Sequence, residues 1–255
     1  MITVEHAKIN KIPILHVVKQ NLRVKKLPFI IFLHGFTSRK EFNLHYAYLL
    51  AEKGFRVILP DALYHGERAA SLTEKQLDLH FWEIIIQTIK ELDILKRFFE
   101  AKNLIDPARI GVVGTSMGGI ITFGALTQYS WIKVAVSLMG MPYYEQFAIN
   151  QIKNLRLRGV SIPLSESEKS QLLTKLREFD LSVHPEKLRN RPMLFWHGKK
   201  DPVVPYAPDY QFYETIKPLY HEHSERLKFI SDENAGHKVS TDGVIQTVKW
   251  FESFL

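Results

Sequence analysis

The sequence contains no cysteine. That excludes a disulfide framework, a cysteine nucleophile and a thiolate metal site, but leaves the compartment open. It also lacks any apolar run near the roughly 18 residues that a membrane span requires. The amino-terminal stretch MITVEHAKIN has no apolar core segment and no small-residue cleavage site, so no secretory signal is expected. No internal repeat or low-complexity tract is evident, and no H-E-x-x-H or comparable metal-ligand spacing occurs. The default expectation is a cytoplasmic protein with no membrane partner.

What is present is ordinary for a globular domain. The 255 residues are 45% hydrophobic and 24% charged, a balance that disfavours disorder. This length suits one α/β domain able to bury most of its apolar surface. The net charge is +7 and the pI about 9.4. Basic residues are scattered, and the densest runs, Arg23–Lys26 and Lys187–Arg191, are short. A nucleic-acid partner needs clustered charge, so none is expected. The excess reads as a solvated surface that at most favours anionic substrates slightly.

Apolar patterning places the elements. Short runs near Ile2–Val4 and Ile12–Val18, with Asn10 and Pro13 between or beside them, predict an antiparallel hairpin. Phe29–Leu33 is a buried strand by its continuous apolar character. Residues 40–53 carry Phe42, Tyr46, Leu49 and Leu50 at helical spacing, with Gly54 at the carboxyl cap. Further strands are predicted at Arg56–Leu59, Ile110–Val113, Lys133–Leu138, Met193–Trp196 and Leu227–Ile230, and helices at 77–101, 116–128, 209–221 and 240–254. Asp106-Pro107 reads as a break. The polar region 142–191, with helical stretches near 145–157 and 166–178, interrupts the alternation and reads as a helical cap inserted into a single domain spanning 1–255. Such alternation implies a mostly parallel sheet covered on both faces, with ligands bound beyond the carboxyl ends of its strands.

The chemistry-bearing residues fall at those strand ends. Gly114-Thr115-Ser116-Met117-Gly118 is a G-x-S-x-G pattern that directly follows a buried strand and opens a helix. Only small residues can flank a serine at so tight a turn, and the turn exposes the hydroxyl. A serine needs a histidine to take its proton, and that histidine needs an acid to orient it. Asp201, in HGKKDPVV, and His237, in NAGHK, follow later strands in the order serine, acid, histidine. Glu145, Asp232 and Glu233 are rival acids. Glu145 follows an earlier strand, whereas Asp232 and Glu233 share the loop of His237.

An oxyanion site needs two backbone donors aimed at developing negative charge. The N–H groups of Met117 and of Phe36, the latter on the loop after Phe29–Leu33, are the candidates. Three His-Gly pairs, at His34, His65 and His197, also follow strands. Their spacing does not suggest a metal, and turns at one sheet edge account for the glycines. His34, Tyr64, His65, Arg68 and Tyr143 are assigned to the borders of a substrate pocket, with His34 read mainly as a support for its loop.

In combination, HGF at 34–36, YHGER at 64–68, DPARIGVVGTSMGG, FWHGKKDPVVP and NAGHK resemble the prolyl-oligopeptidase-like branch of the α/β-hydrolases, in particular its small bacterial YitV-like esterases. The resemblance implies an α/β-hydrolase fold with a mostly parallel sheet of about eight strands. It implies Ser116 as nucleophile, Asp201 as acid, His237 as base, and Phe36 and Met117 as oxyanion donors. Fewer than thirty residues precede the first strand of the catalytic unit, so the large domain that filters peptides in true oligopeptidases is not expected, which disfavours peptidase activity. The implied reaction is hydrolysis of a small-molecule carboxylic ester through an acyl-enzyme, with no cofactor and no metal. An aminopeptidase-like hydrolase, a thioesterase and an acyltransferase would use the same residues. A non-catalytic binder on this fold is the reading from another class. A homodimer is the one assembly kept open.

Overall fold

The computed structural model describes residues 1–157, 159, 162 and 165–255. The hairpin β1 (Ile2–Ile9) and β2 (Ile12–Lys19) pairs in register from Ile2↔Lys19 to Ile9↔Ile12. Its two-residue turn is Asn10-Lys11, both with positive φ. Two successive positive-φ residues match the twist of flanking strands. Pro13 lies inside β2, where its carbonyl accepts the Asp61 N–H (3.0 Å).

The chain then alternates. β3 (Leu27–Leu33), α1 (Leu44–Glu52), β4 (Arg56–Pro60), α2 (Glu74–Leu79), α3 (Phe81–Ala101), β5 (Ile105–Thr115), α4 (Met117–Gln128) and β6 (Val134–Leu138) follow in order. α5 (Tyr144–Leu157) and α6 (Glu166–Arg177) precede β7 (Met193–Gly198), α7 (Tyr206–Ile216), β8 (Leu227–Asp232) and α8 (Thr241–Phe254). Among the described residues the strands form one sheet in the order β1-β2-β4-β3-β5-β6-β7-β8. The hairpin joins β4 antiparallel, and every pair from β4 to β8 is parallel. Apolar residues of β3 alternate between two cores: Phe29, Ile31 and Leu33 pack under α3 and α4, whereas Ile30 and Phe32 pack under α1 and α8.

Several local expectations are corrected. Residues 40–43 form a 3₁₀ turn rather than the start of α1, and Phe42 points outward beneath the Arg39 guanidinium (4.8 Å). The long helix expected at 77–101 is broken at His80. A capping box between Thr73 and Gln76 starts a separate α2. Asp106-Pro107 lies within β5, where pairing with β3 skips from Leu27↔Ile105 to Phe29↔Ile110, an irregularity that absorbs the proline.

The segment between β6 and β7 is anchored rather than free. Tyr144, fully buried, donates its hydroxyl to the Ile120 carbonyl and accepts from the Gly124 N–H (3.1 Å). A methyl group on Gly124 would lie 2.3 Å from that oxygen, so only glycine admits the contact. At the far end, buried Arg191 donates to the carbonyls of Leu126, Tyr129, Ile132, Lys187 and Leu188. One arginine of the basic run is therefore a core clamp rather than a surface charge. Residues 158, 160, 161, 163 and 164 of the expected cap lie outside the described residues. No helix of the structure is long and apolar enough to cross a membrane among the described residues.

Candidate active site

Ser116 occupies the turn between β5 and α4 with φ 54° and ψ −116°. A non-glycine residue held at positive φ is strained and persists only where the surroundings enforce it. Here they do. The Ser116 N–H donates to the Leu138 carbonyl (2.8 Å), and the Ser116 carbonyl accepts from Ile120 (3.0 Å). A methyl group on Gly114 would meet the Gly118 backbone at 2.2 Å, and one on Gly118 would meet the Leu33 carbonyl at 2.1 Å. Both glycines are therefore steric requirements of the turn. α4 is buried along nearly its whole length, and its first-turn N–H groups, beginning with Met117, have no acceptor within the helix.

Asp201 follows β7, and its side chain is fully buried. Its Oδ1 accepts the N–H groups of Val203 (2.8 Å) and Val204 (3.0 Å). Its Oδ2 accepts from His237 Nδ1 at 2.7 Å. His237 Nε2 lies 2.9 Å from Ser116 Oγ, so the three residues form one hydrogen-bonded run. Burial alone would raise Asp201, but hydrogen bonds from His197, His237 and the two amides hold it well below the usual carboxylate range. The loops carrying Asp201 and His237 are pressed together: Lys199 and Lys200 N–H donate to the carbonyls of Asp232 (2.8 Å) and Ala235 (3.0 Å). Gly198 permits this, since a methyl group there would lie 2.4 Å from the Ala235 carbonyl.

The rival acids are engaged elsewhere. Glu145 lies 3.9 Å from Arg177, Glu233 pairs with Lys199 at 2.7 Å, and Asp232 Oδ1 accepts the N–H groups of Asn234 and Ala235 in its own turn.

The Phe36 loop lies beside Ser116, because a methyl group on Gly35 would sit 3.5 Å from Ser116 Cβ. His34 supports its own loop, and His65 lies in the same framework rather than in the expected pocket wall. Both are buried with both ring nitrogens occupied. His34 Nδ1–H donates to the Gly35 carbonyl (2.8 Å), and Nε2 accepts the Ala62 N–H (3.0 Å). His65 Nδ1–H donates to the Leu63 carbonyl (2.8 Å), and Nε2 accepts the Thr37 N–H (3.0 Å). Burial lowers both, His34 to about 4, so the rings are neutral near pH 7 and fasten loop 34–37 to loop 61–65. Arg68 is likewise framework, forked onto Glu91 at 2.7 and 2.9 Å and bonded to the Asp61 carbonyl (3.1 Å). Tyr64 and Tyr143 are half-buried. The Tyr64 ring packs 5.0 Å from His80, and the Tyr143 ring lies edge-on 6.0 Å from Phe212.

The roles of two groups escaped the sequence reading. Lys40, fully buried, binds Asp61 (2.7 Å), Glu67 (2.7 Å) and Glu41 (2.9 Å) beneath the Phe36 loop. A lysine in a polar stretch gives no sign of burial. The other is His197, buried between Asp201 and Asp209; its position at the end of β7 was the available signal. Among the described residues one group at the surface, His6, Glu41 and Glu67, has metal-compatible spacing, but the Lys40 ammonium already sits between both glutamates as a common ion-pair partner.

A sequence profile described as the prolyl oligopeptidase family matches residues 40–255. The chain belongs to this family. This family member is 53% identical to "Putative esterase YitV" of Bacillus subtilis, over the whole of both chains. It is 32% identical to "Esterase YjfP" of Escherichia coli, covering 80% of this chain and 81% of that one. Among solved structures, TT1662 of Thermus thermophilus superposes with a TM-score of 0.77 at 19% identity, covering 99% of this chain and 98% of that one. An acylaminoacyl peptidase of Pyrococcus horikoshii gives 0.73 at 18% identity, covering all of this chain but 42% of the other. The fold is that of the α/β-hydrolases, and the family member is a hydrolase.

Proposed function

We propose that this chain is a serine carboxylesterase that hydrolyses esters of small to medium acyl groups through an acyl-enzyme. The observation that carries this reading is the run Ser116 Oγ–His237–Asp201, with links of 2.9 and 2.7 Å. His237 Nε2 takes the Ser116 proton as Oγ attacks the ester carbonyl carbon. Asp201 accepts from Nδ1–H and stabilises the imidazolium that forms. The carbonyl oxygen becomes an oxyanion held by the N–H groups of Met117 and Phe36, near the positive end of α4. His237 then protonates the departing alkoxide. In the second half, it deprotonates a water that attacks the acyl carbon, and the proton returns to Ser116.

The surroundings support an apolar substituent on the ester. Phe36 packs on Phe81 (5.3 Å), and Phe81 on Phe147 (6.0 Å), giving an aromatic wall beside the loop of the oxyanion donors. Tyr64 and Tyr143 border the remainder, and residues 142–191 act as a cap within one hydrolase domain. Relatives named as esterases support ester over amide chemistry.

Two measurements test the reading. A fluorophosphonate probe should label the wild type and leave Ser116→Ala unlabelled. On a panel of p-nitrophenyl esters, acyl-CoAs and aminoacyl anilides, the esters should turn over fastest. Equal labelling of Ser116→Ala, or faster anilide turnover, overturns it.

A further inference from the structure

The Ser116 run ends in the core at a second His–Asp pair. His197 lies at the end of β7 and Asp209 in the first turn of α7, and both side chains are fully buried. His197 Nε2 faces the Val204 carbonyl at 3.0 Å, and a carbonyl can only accept, so Nε2 carries a proton. The same atom lies 3.4 Å from Asp201 Oδ2. His197 Nδ1 faces Asp209 Oδ2 at 2.9 Å. Asp209 Oδ1 has no hydrogen-bond partner among the described residues. Two tyrosines lie near the pair: the Tyr206 ring stands edge-on 5.7 Å from His197 with its hydroxyl paired to Ser231 (2.7 Å), and the charge of Asp209 helps to raise the Tyr143 phenol.

Both ring nitrogens thus face oxygens, and two carboxyl groups flank one ring, with burial raising Asp209 itself while its contact with His197 opposes that rise. Burial opposes a charged ring here, but hydrogen bonds to Asp201 and Asp209 outweigh it and push His197 up to about 9. Val204 links this pair to the triad. Its carbonyl accepts from His197, and its N–H donates to Asp201 Oδ1 at 3.0 Å. His197 therefore grips the 201–204 turn and Asp201 itself.

We propose that His197, held by Asp209, is a positioning residue for Asp201: a buried imidazolium that clamps the 201–204 turn and fixes the carboxylate on which His237 is oriented. Nothing in this role touches substrate. It rests on the esterase reading for its kinetic consequence, but not for its protonation state.

The test combines spectroscopy with kinetics. In full-length protein labelled with ¹⁵N-histidine at pH 7.5, one ring should carry protons on both nitrogens, and that signal should vanish in His197→Phe. In Asp209→Asn, the same ring should lose its second proton at pH 7.5, because the carboxylate that retains it is gone. With p-nitrophenyl butyrate, His197→Phe should lower kcat at least tenfold with KM within twofold, and should shift or broaden the His237 Nδ1 proton resonance. His197→Phe leaves Asp209 buried without a partner, so the double variant His197→Phe/Asp209→Leu restores an apolar, foldable site. Its kcat should stay at least tenfold low. A singly protonated His197 in the wild type, or wild-type kcat with an unmoved His237 resonance in the double variant, overturns the proposal. If fluorophosphonate fails to label the wild type, the esterase reading falls while the ¹⁵N result still decides the state of His197.

Discussion

Gly118 offers the sharpest test of how the turn aims Ser116. In Gly118→Ala the new methyl group would lie 2.1 Å from the Leu33 carbonyl, 2.7 Å from its carbon and 3.0 Å from the His34 carbonyl. These are backbone atoms of a central strand and cannot rotate away. An acceptable contact needs more than 3.0 Å, so α4 must withdraw by about 1 Å in a close-packed interior. The amide of Met117 and the position of Ser116 withdraw with it. A misplacement near 1 Å can cost about a hundredfold in rate, equivalent to ~2.7 kcal/mol of transition-state stabilisation. Overpacking adds about 1–3 kcal/mol of destabilisation. The expected outcome is kcat/KM on p-nitrophenyl butyrate reduced by about two orders of magnitude, together with a lower Tm. Gly54→Ala is the control. It has open space around it but φ +96°, so it should cost about 1–3 kcal/mol of backbone strain and leave kcat/KM unchanged. A Gly118→Ala enzyme within twofold of wild-type kcat/KM would refute the argument that this glycine sets the geometry of Ser116.

Further outcomes follow from the buried polar groups. Burial lowers His34 from 6.5 to about 4, so the unfolded chain binds the proton more readily. The associated stability is complete above pH 6.5 and is lost as pH falls toward 4, about 3 kcal/mol in all; urea midpoints measured across that range should fall, and a flat profile would contradict the assignment. Arg191→Met strands carbonyls that the guanidinium serves, and should destabilise by at least ~3 kcal/mol in chemical denaturation. Lys40→Met leaves Asp61 buried beside only its backbone donors. It should cost about 3–5 kcal/mol, with partial recovery in Lys40→Met/Asp61→Asn.

The triad candidates were legible because their signals are local and ordered. Ser116 sits in a five-residue pattern after a buried strand, and Asp201 and His237 end later strands. The sheet was legible for the same reason: its central strands are short unbroken apolar runs. What the sequence hides is pairing between distant backbone and side-chain atoms. His65 was assigned to the pocket, and His34 to its border as well as to loop support, because a histidine at a strand end is ambiguous until its ring nitrogens find partners, here amides of loops 28 residues away. Arg68 was ambiguous for the same reason, its partner Glu91 lying on α3. The break at His80 carried a readable sign in Thr73 and Gln76. The irregularity in β5 did not, since Asp-Pro usually stops a strand. Phe42 was misplaced because helical spacing was extended one turn too early.

The seat of Tyr144 in α4 has a consequence for recombination. α4 begins at the serine, and α5 is fastened to its middle through Ile120 and Gly124. A chimaera that exchanges residues 142–191 with those of a relative therefore cannot treat the segment as an independent module. If the donor brings no tyrosine, Gly124 faces a void; if the recipient has any larger residue at 124, an incoming tyrosine has no room. Crossover points chosen after residue 144 and before residue 191 keep both this fit and the Arg191 clamp intact.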